Sequence, residues 1–166
     1  MIFKLFLESL LSYPKGTLLI LIALLNLFWI SYVLFANQKY KNKIFKIYFF
    51  YAVFALLWVI TNAYFQSGLL FVFGEKTAKF TAIAANIASS FALIGFYWLA
   101  SVIKNPGKRL FSHSRFFIFS LTFIAFIVNL IPNLTVKEVQ IFTATTDGAH
   151  FELIFGTGNS AFFVAG

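Results

Sequence analysis

The sequence predicts an all-α integral membrane helical bundle, with four full transmembrane helices, the start of a fifth, and an extracytoplasmic β-hairpin between helices four and five. Of 166 residues, 61% are hydrophobic and only 11% are charged, against about 25% charged in an average soluble domain. Four long apolar runs contain no charged residue, and a strand-like segment follows the fourth. This composition excludes both a water-soluble globule and a disordered chain.

Each apolar run is close to the length that a helix needs to cross a bilayer. About 30 Å of hydrocarbon requires about 20 mostly apolar residues. The runs are continuous rather than alternating, which favours helices over a transmembrane barrel. The fourth run is short, so we expect its helix to begin earlier, with Arg115 reaching back toward the headgroups. The predicted helices cover residues 17–35, 47–65, 80–103 and 116–131.

The segment before the first predicted span is not a secretory signal. Glu8 interrupts it, and no small-residue cleavage site follows an apolar core. Residues 2–11 are apolar enough to form a short helix along the membrane surface. A disordered N-terminus is the alternative for this segment.

Basic residues are concentrated in two predicted loops, which sets the expected orientation. The loops after helices one and three carry the whole net charge of +8, and the other segments sum to zero. Lysine and arginine next to helix ends mark cytoplasmic loops. We therefore expect an extracytoplasmic N-terminus, and we expect these loops to contact anionic lipid rather than nucleic acid. The basic residues are Lys39, Lys41, Lys43 and Lys46 in one loop, and Lys104, Lys108, Arg109 and Arg115 in the other.

The segment after Pro132 has the pattern of a β-hairpin. β-prone residues occur on both sides of Asp147-Gly148, a dipeptide typical of hairpin turns. We predict an external hairpin at about 133–159, with strands at about 135–144 and 149–156. The side chains expected to pack over the outer helix ends are Val139, Ile141, Phe151 and Phe155.

The last residues begin another apolar run. Ser160 is a suitable helix cap, and residues 161–166 are apolar. We expect the chain to stop inside a fifth span, as a fragment of a longer protein. The alternative is a native C-terminus whose apolar tail lies at the membrane interface.

This layout resembles the N-terminal seven-helix sensor region of bacterial histidine kinases. The matching features are Ile131-Pro132-Asn133 after helix four, the strand at 136–143, the turn at Asp147-Gly148, and Phe155-Gly156 before helix five. The resemblance covers nearly all of residues 1–166 as a single membrane sensor-type domain, and about five of seven helices. It implies a sensory input domain whose catalytic output would lie beyond residue 166.

Uncharged polar side chains are the candidate site residues. Buried amides in hydrocarbon either hydrogen-bond across helices or line a wet cavity. Three amides fall in the outer third of the membrane once alternating helix directions are applied. Interhelical packing is one interpretation, and an outward-opening signal pocket is the other. The pocket residues would be Asn62, Asn86, Ser89, Ser90 and Asn129.

We identify no catalytic, cofactor-binding or metal-binding residues in the chain. It has no Cys, and its two histidines, His113 and His150, fall on opposite sides of the predicted membrane. No ionisable residue lies within the predicted spans, where an enzyme or ion carrier normally has one. Small residues repeat at helical spacing along the third span, which predicts that this helix lies at the centre of the bundle.

Two functional classes fit these features. The favoured one is a membrane-embedded sensory and signal-transduction input domain, the N-terminal part of a histidine kinase. The alternative is a fragment of a transporter or a small accessory membrane subunit, although no broken helix or intramembrane charge is visible. Besides the lipid bilayer, the expected partners are a small uncharged or amphipathic signal and a second copy of the chain in a homodimer.

Overall fold

The computed structural model describes residues 2–36, 43–104, 113–145 and 148–157. The described part is mostly helical and carries one two-stranded antiparallel sheet. The predicted loops at 37–42 and 105–112 and the predicted start of a fifth helix at 158–166 lie outside it. The elements are α1 (Ile2–Leu11), α2 (Pro14–Ala36), α3 (Lys43–Phe65), α4 (Leu69–Lys104), α5 (His113–Leu130), β1 (Val136–Thr145) and β2 (Gly148–Phe155).

Three helices are long and apolar enough to cross a membrane. They are α2, residues Ile44–Phe65 of α3, and α4. Within α5, the apolar helix Phe119–Leu130 is shorter. The predicted mostly helical fold, with helices long and apolar enough for a membrane, is therefore confirmed. A fourth full span remains a prediction. As expected, α5 begins before residue 116, at His113.

The first helix is also present. Residues Ile2–Leu11 form α1, so the helical interpretation of this segment is confirmed over a disordered one. The backbone N–H of Gly68, in the turn between α3 and α4, donates a hydrogen bond of 2.7 Å to the Ser9 carbonyl. The end of α1 is thereby attached to the α3–α4 turn.

Helix α4 begins well before the predicted residue 80. Its first turn starts at Leu69, and a kink follows at Gly74, whose φ of 71° lies in the left-handed region. Glycine adopts this conformation without the steric penalty that other residues pay. Polar residues follow the kink, so this part of the helix lies outside the apolar run that predicts the span.

Helix α4 lies at the centre of the described bundle, as its small residues predict. It contacts α1, α3, α5 and β1, whereas α2 packs mainly on α3. Its buried side chains include several small ones, which allow close helix approach. They are Ala78, Ala82, Ala88 and Ala92.

The hairpin and the helix ends that flank the two basic loops lie at opposite ends of the bundle. We call one end, where α3 ends, α4 begins and α5 leads into β1, the hairpin end. We call the other, where α2 ends, α3 begins, α4 ends and α5 begins, the loop end. His150 lies in β2 and His113 at the start of α5, so the histidines are at opposite ends, as expected.

The predicted hairpin is present, and its second strand begins one residue earlier than predicted. Thr145 pairs with Gly148, so β2 begins at Gly148 rather than at the predicted residue 149. The predicted turn pair Asp147-Gly148 is corrected at Gly148, which is paired within the sheet, whereas Asp147 lies outside the described residues. The pairs Val139 with Leu153 and Ile141 with Phe151 fix the register.

The inner face of the hairpin packs on the hairpin end of α3 and α4. Val136 and Val139 are buried against Phe65, Leu70, Ala78 and Ala82, and Ile141, Phe151 and Leu153 join this cluster. The expected packing of Val139, Ile141 and Phe151 is thus confirmed. Phe155 was expected there too, but it is 47% exposed. The pairing shifts between Val136 and Glu138, so simple alternation fails at this end of the sheet.

Candidate functional site at the hairpin end of the bundle

Two of the three predicted amides meet across α4 and α5. The Asn86 side-chain amide donates to the side-chain oxygen of Asn129 over 3.5 Å. Asn129 is 1% exposed, and its own amide donates to the Ala125 carbonyl at 2.8 Å. Both polar ends of Asn129 are therefore engaged. A direct bond of this kind is what the packing interpretation expects.

The two candidate serines turn back onto their own helix. The Ser89 and Ser90 hydroxyls both donate to the Asn86 backbone carbonyl, at 2.9 and 2.8 Å. Serine in a membrane helix commonly satisfies its hydroxyl in this way. Asn86 is thus the centre of a small polar cluster made of Asn86, Ser89, Ser90 and Asn129.

Asn62 is held separately. Its amide donates to the Trp58 carbonyl, one turn back on α3, at 2.8 Å. Asn26 on α2 makes the same kind of bond to Ile22 at 2.9 Å. The hydrogen bonds therefore join Asn86 to Asn129 and leave Asn62 bonded within its own helix. The signal pocket bounded by all three remains a prediction.

Two buried hydroxyls near the hairpin were missed by sequence reasoning. Within the described ranges, the Tyr64 hydroxyl and the Thr135 hydroxyl are buried without a hydrogen-bond partner. Tyr64 packs against the apolar cluster beneath the hairpin, and Thr135, 1% exposed, directly precedes β1. A buried polar group without a partner costs about 1–3 kcal/mol. Tyrosine at the end of a span resembles an interfacial anchor in sequence, so its burial could not be foreseen.

A lysine at the hairpin end was also missed. The Lys79 ammonium donates to the Asn133 side-chain oxygen and, at 2.7 Å, to the Lys137 backbone carbonyl. Lys79 lies on α4, whereas its partners lie in the turn after α5 and at the start of β1. Sequence spacing gives no signal for a contact between residues so far apart in the chain.

The polar side chains of the described ranges include no group of three or more His, Asp or Glu that could hold a metal ion. The site is built from amides, hydroxyls and one ammonium group, next to aromatic rings. Amides and hydroxyls can both donate and accept hydrogen bonds, and an ammonium group can donate them.

Comparison with known proteins gives a sensor kinase as a relative. The chain is 30% identical over 159 residues to "Autoinducer 1 sensor kinase/phosphatase LuxN" of Vibrio campbellii, and equally to the protein of that name from Vibrio harveyi. The match covers 92% of this chain and 18% of each relative. The chain thus spans less than a fifth of the length of these curated relatives.

No protein-family model matches the chain, and no solved structure matches it. The similarity to LuxN and the long apolar helices agree with the broader part of the resemblance, namely a membrane sensor region of a histidine kinase. Together they support a membrane location and a sensor-kinase region.

Proposed function

We propose that this chain is the membrane-embedded input domain of a histidine kinase, which detects a signal and passes it to a catalytic region. The observation that carries this proposal is the similarity to a sensor kinase over 92% of the chain. In the part of the chain that the structure describes, the matched portion consists of helices, three of them long and apolar, and a hairpin. A segment of this composition suits the membrane part of such a relative.

The proposed orientation places the N-terminus and the hairpin outside the cell. Support comes from the charge distribution, since lysine and arginine near helix ends favour the cytoplasm. Lys43, Lys46 and Lys104 lie at the loop end of the bundle, and the hairpin end is nearly neutral. An external hairpin would put the polar cluster within reach of an extracellular signal.

The proposed signal is small and either uncharged or amphipathic. The relatives are named for sensing an autoinducer, and we extend to this chain the detection of a small diffusible molecule. Asn62, Asn86, Ser89, Ser90 and Asn129 would contact it, together with the buried hydroxyls of Tyr64 and Thr135. Amides and hydroxyls both donate and accept hydrogen bonds, which suits a ligand without charge.

A thiol-protection experiment tests the site. Ser90→Cys is introduced into the full-length protein, with any cysteine outside these residues replaced by serine. Membranes are labelled with a small maleimide, with and without an organic extract of spent culture medium. We expect the extract to slow labelling at position 90 and to leave Ser120→Cys unchanged, because Ser120 is outside the polar cluster and donates to the Phe116 carbonyl of its own helix. Equal labelling of Ser90→Cys in both conditions would contradict the site.

A further inference from the structure

The hairpin is attached to the helices by two kinds of contact. Its inner face is apolar, and the rings of Phe65 on α3 and Phe151 on β2 lie 4.9 Å apart. At its base, Lys79 of α4 forms the polar attachment, donating to Asn133 and to the Lys137 carbonyl. One ammonium group therefore joins α4 to both the turn after α5 and the first residues of β1.

One acceptor of Lys79, Asn133, lies in the turn after α5, and the other, the Lys137 carbonyl, lies at the start of β1. Asn133 has a φ of 63°, a left-handed conformation that asparagine tolerates better than most residues. The Gly156 N–H, just after β2, donates to the Thr135 carbonyl at 3.0 Å and closes the same turn. Both strands are thus connected to the segment that Lys79 holds, so a movement of the hairpin changes the distance from Lys79 to its acceptors.

Sequence spacing makes Glu75 the candidate for a second partner of Lys79 on the same helix. Glu75 precedes it by four residues, and a glutamate N-terminal to a lysine at this spacing is the favourable order for a helical ion pair. In the described part of the chain this pair is not formed, and Lys4–Glu8 is the ion pair present. The ammonium bonds to neutral oxygens of the hairpin base instead.

We propose that Lys79 is a two-position latch. In the closed position it holds the hairpin base through Asn133 and the Lys137 carbonyl, as observed. In the open position it pairs with Glu75 and releases the hairpin from α4. Glu75 directly follows the kink at Gly74. It therefore lies on the same helix segment as Lys79.

The latch acts beside the polar cluster. Asn86 is seven residues, or two turns, after Lys79 on α4, and Asn129 is four residues before Asn133 near the end of α5. Asn86 therefore bonds to the end of α5, and Lys79 bonds to the turn that follows it. The latch would convert a movement of the hairpin into a shift of α5 against α4. This regulatory role rests on the proposed sensory function.

Thiol labelling of a buried hairpin residue tests the latch. Val139, 1% exposed, is replaced by cysteine in the full-length protein, and open membrane fragments are treated with a small maleimide. With Lys79→Met we expect labelling to be about tenfold faster, a change that the loss of one charge-assisted hydrogen bond is large enough to produce. Lys79→Arg should stay close to wild type, because it keeps the charge and the donors.

The matched control is Lys76→Met, which removes a lysine from an exposed position of the same helix. It should leave labelling unchanged. Equal rates for Lys79→Met and Lys76→Met would overturn the latch. Should Lys79→Met fail to insert, Asn133→Gly removes the side-chain acceptor and tolerates the left-handed backbone; unchanged labelling in that variant also overturns it.

Glu75→Gln tests the open position. Loss of the competing ion pair should slow labelling of the Val139→Cys protein about twofold, the opposite direction to Lys79→Met. An unchanged rate would contradict Glu75 as the second partner. These rates require neither signal nor kinase activity, so a failed latch and a failed sensory function give distinguishable results.

Discussion

Gly95 of α4 lies directly against Tyr51 of α3. A Cβ atom built on Gly95 would stand 2.8 Å from the Tyr51 Cα, closer than carbon atoms approach in folded proteins. The two helices therefore cross at this glycine without an intervening side chain. This close approach, near the loop end, fixes how α3 and α4 pack along the rest of their length.

We predict that Gly95→Ala destabilises the helical bundle by about 1–3 kcal/mol, the usual range for overpacking a tight site. The free energy of unfolding in detergent measures the change. Ala100→Leu, at an exposed position on the same helix, is the control and should be nearly neutral. Equal stability of Gly95→Ala and wild type would contradict the α3–α4 crossing.

The ring contact between Phe65 and Phe151 should show measurable coupling. In a double-mutant cycle with Phe65→Leu and Phe151→Leu, we expect about 0.5–1.5 kcal/mol of interaction free energy. Phe155→Leu supplies the comparison, because this ring is 47% exposed and should not couple to Phe65. Coupling of Phe65 with Phe155 instead of Phe151 would mean that the hairpin packs in another register.

The amide bond between Asn86 and Asn129 should contribute modestly to stability. We expect a coupling free energy of about 0.6 kcal/mol in a cycle of Asn86→Leu and Asn129→Leu, the average for interhelical hydrogen bonds in membranes. Asn26→Leu is the matched single substitution, since Asn26 bonds within its own helix. A coupling of zero would show that the two amides do not bond in the membrane.

The orientation is tested by thiol labelling of intact cells. Within these 166 residues there is no cysteine, so Lys41→Cys, Lys108→Cys and Asp147→Cys can be introduced one at a time. We predict that an impermeant maleimide reaches only position 147 from outside. Labelling of positions 41 or 108 in intact cells would reverse the orientation and remove the argument for an outward pocket.

The sequence predicts a helix well where contact with the hydrocarbon of the bilayer is what determines its residues. The runs behind α2 and α3 correspond to helices within a few residues, because a spanning segment must be apolar throughout. The start of α4 was missed, since the segment around Gly74 and Glu75 lies outside the apolar run and follows no such rule. Alternation predicts the hairpin, whereas the start of β2 depends on the pairing between Thr145 and Gly148, which alternation does not specify.

The candidate site was less predictable for a different reason. An asparagine in a helix can donate to the carbonyl four residues earlier or to a neighbouring helix, and sequence does not distinguish the two. Asn62 takes the first option and Asn86 the second. The Lys79 contacts depend on the path of the turn after α5, which only the folded arrangement specifies.

The most direct test of the sensory function is autophosphorylation of the full-length protein in its own membranes. We predict that an organic extract of spent culture medium changes the rate of phosphate incorporation on histidine in wild type and in Asn26→Leu. In Asn86→Leu, inserted in equal amount, the rate should no longer respond. A full response in Asn86→Leu would contradict the pocket, and a wild-type protein that incorporates no phosphate under any condition would contradict the assignment as a kinase input domain.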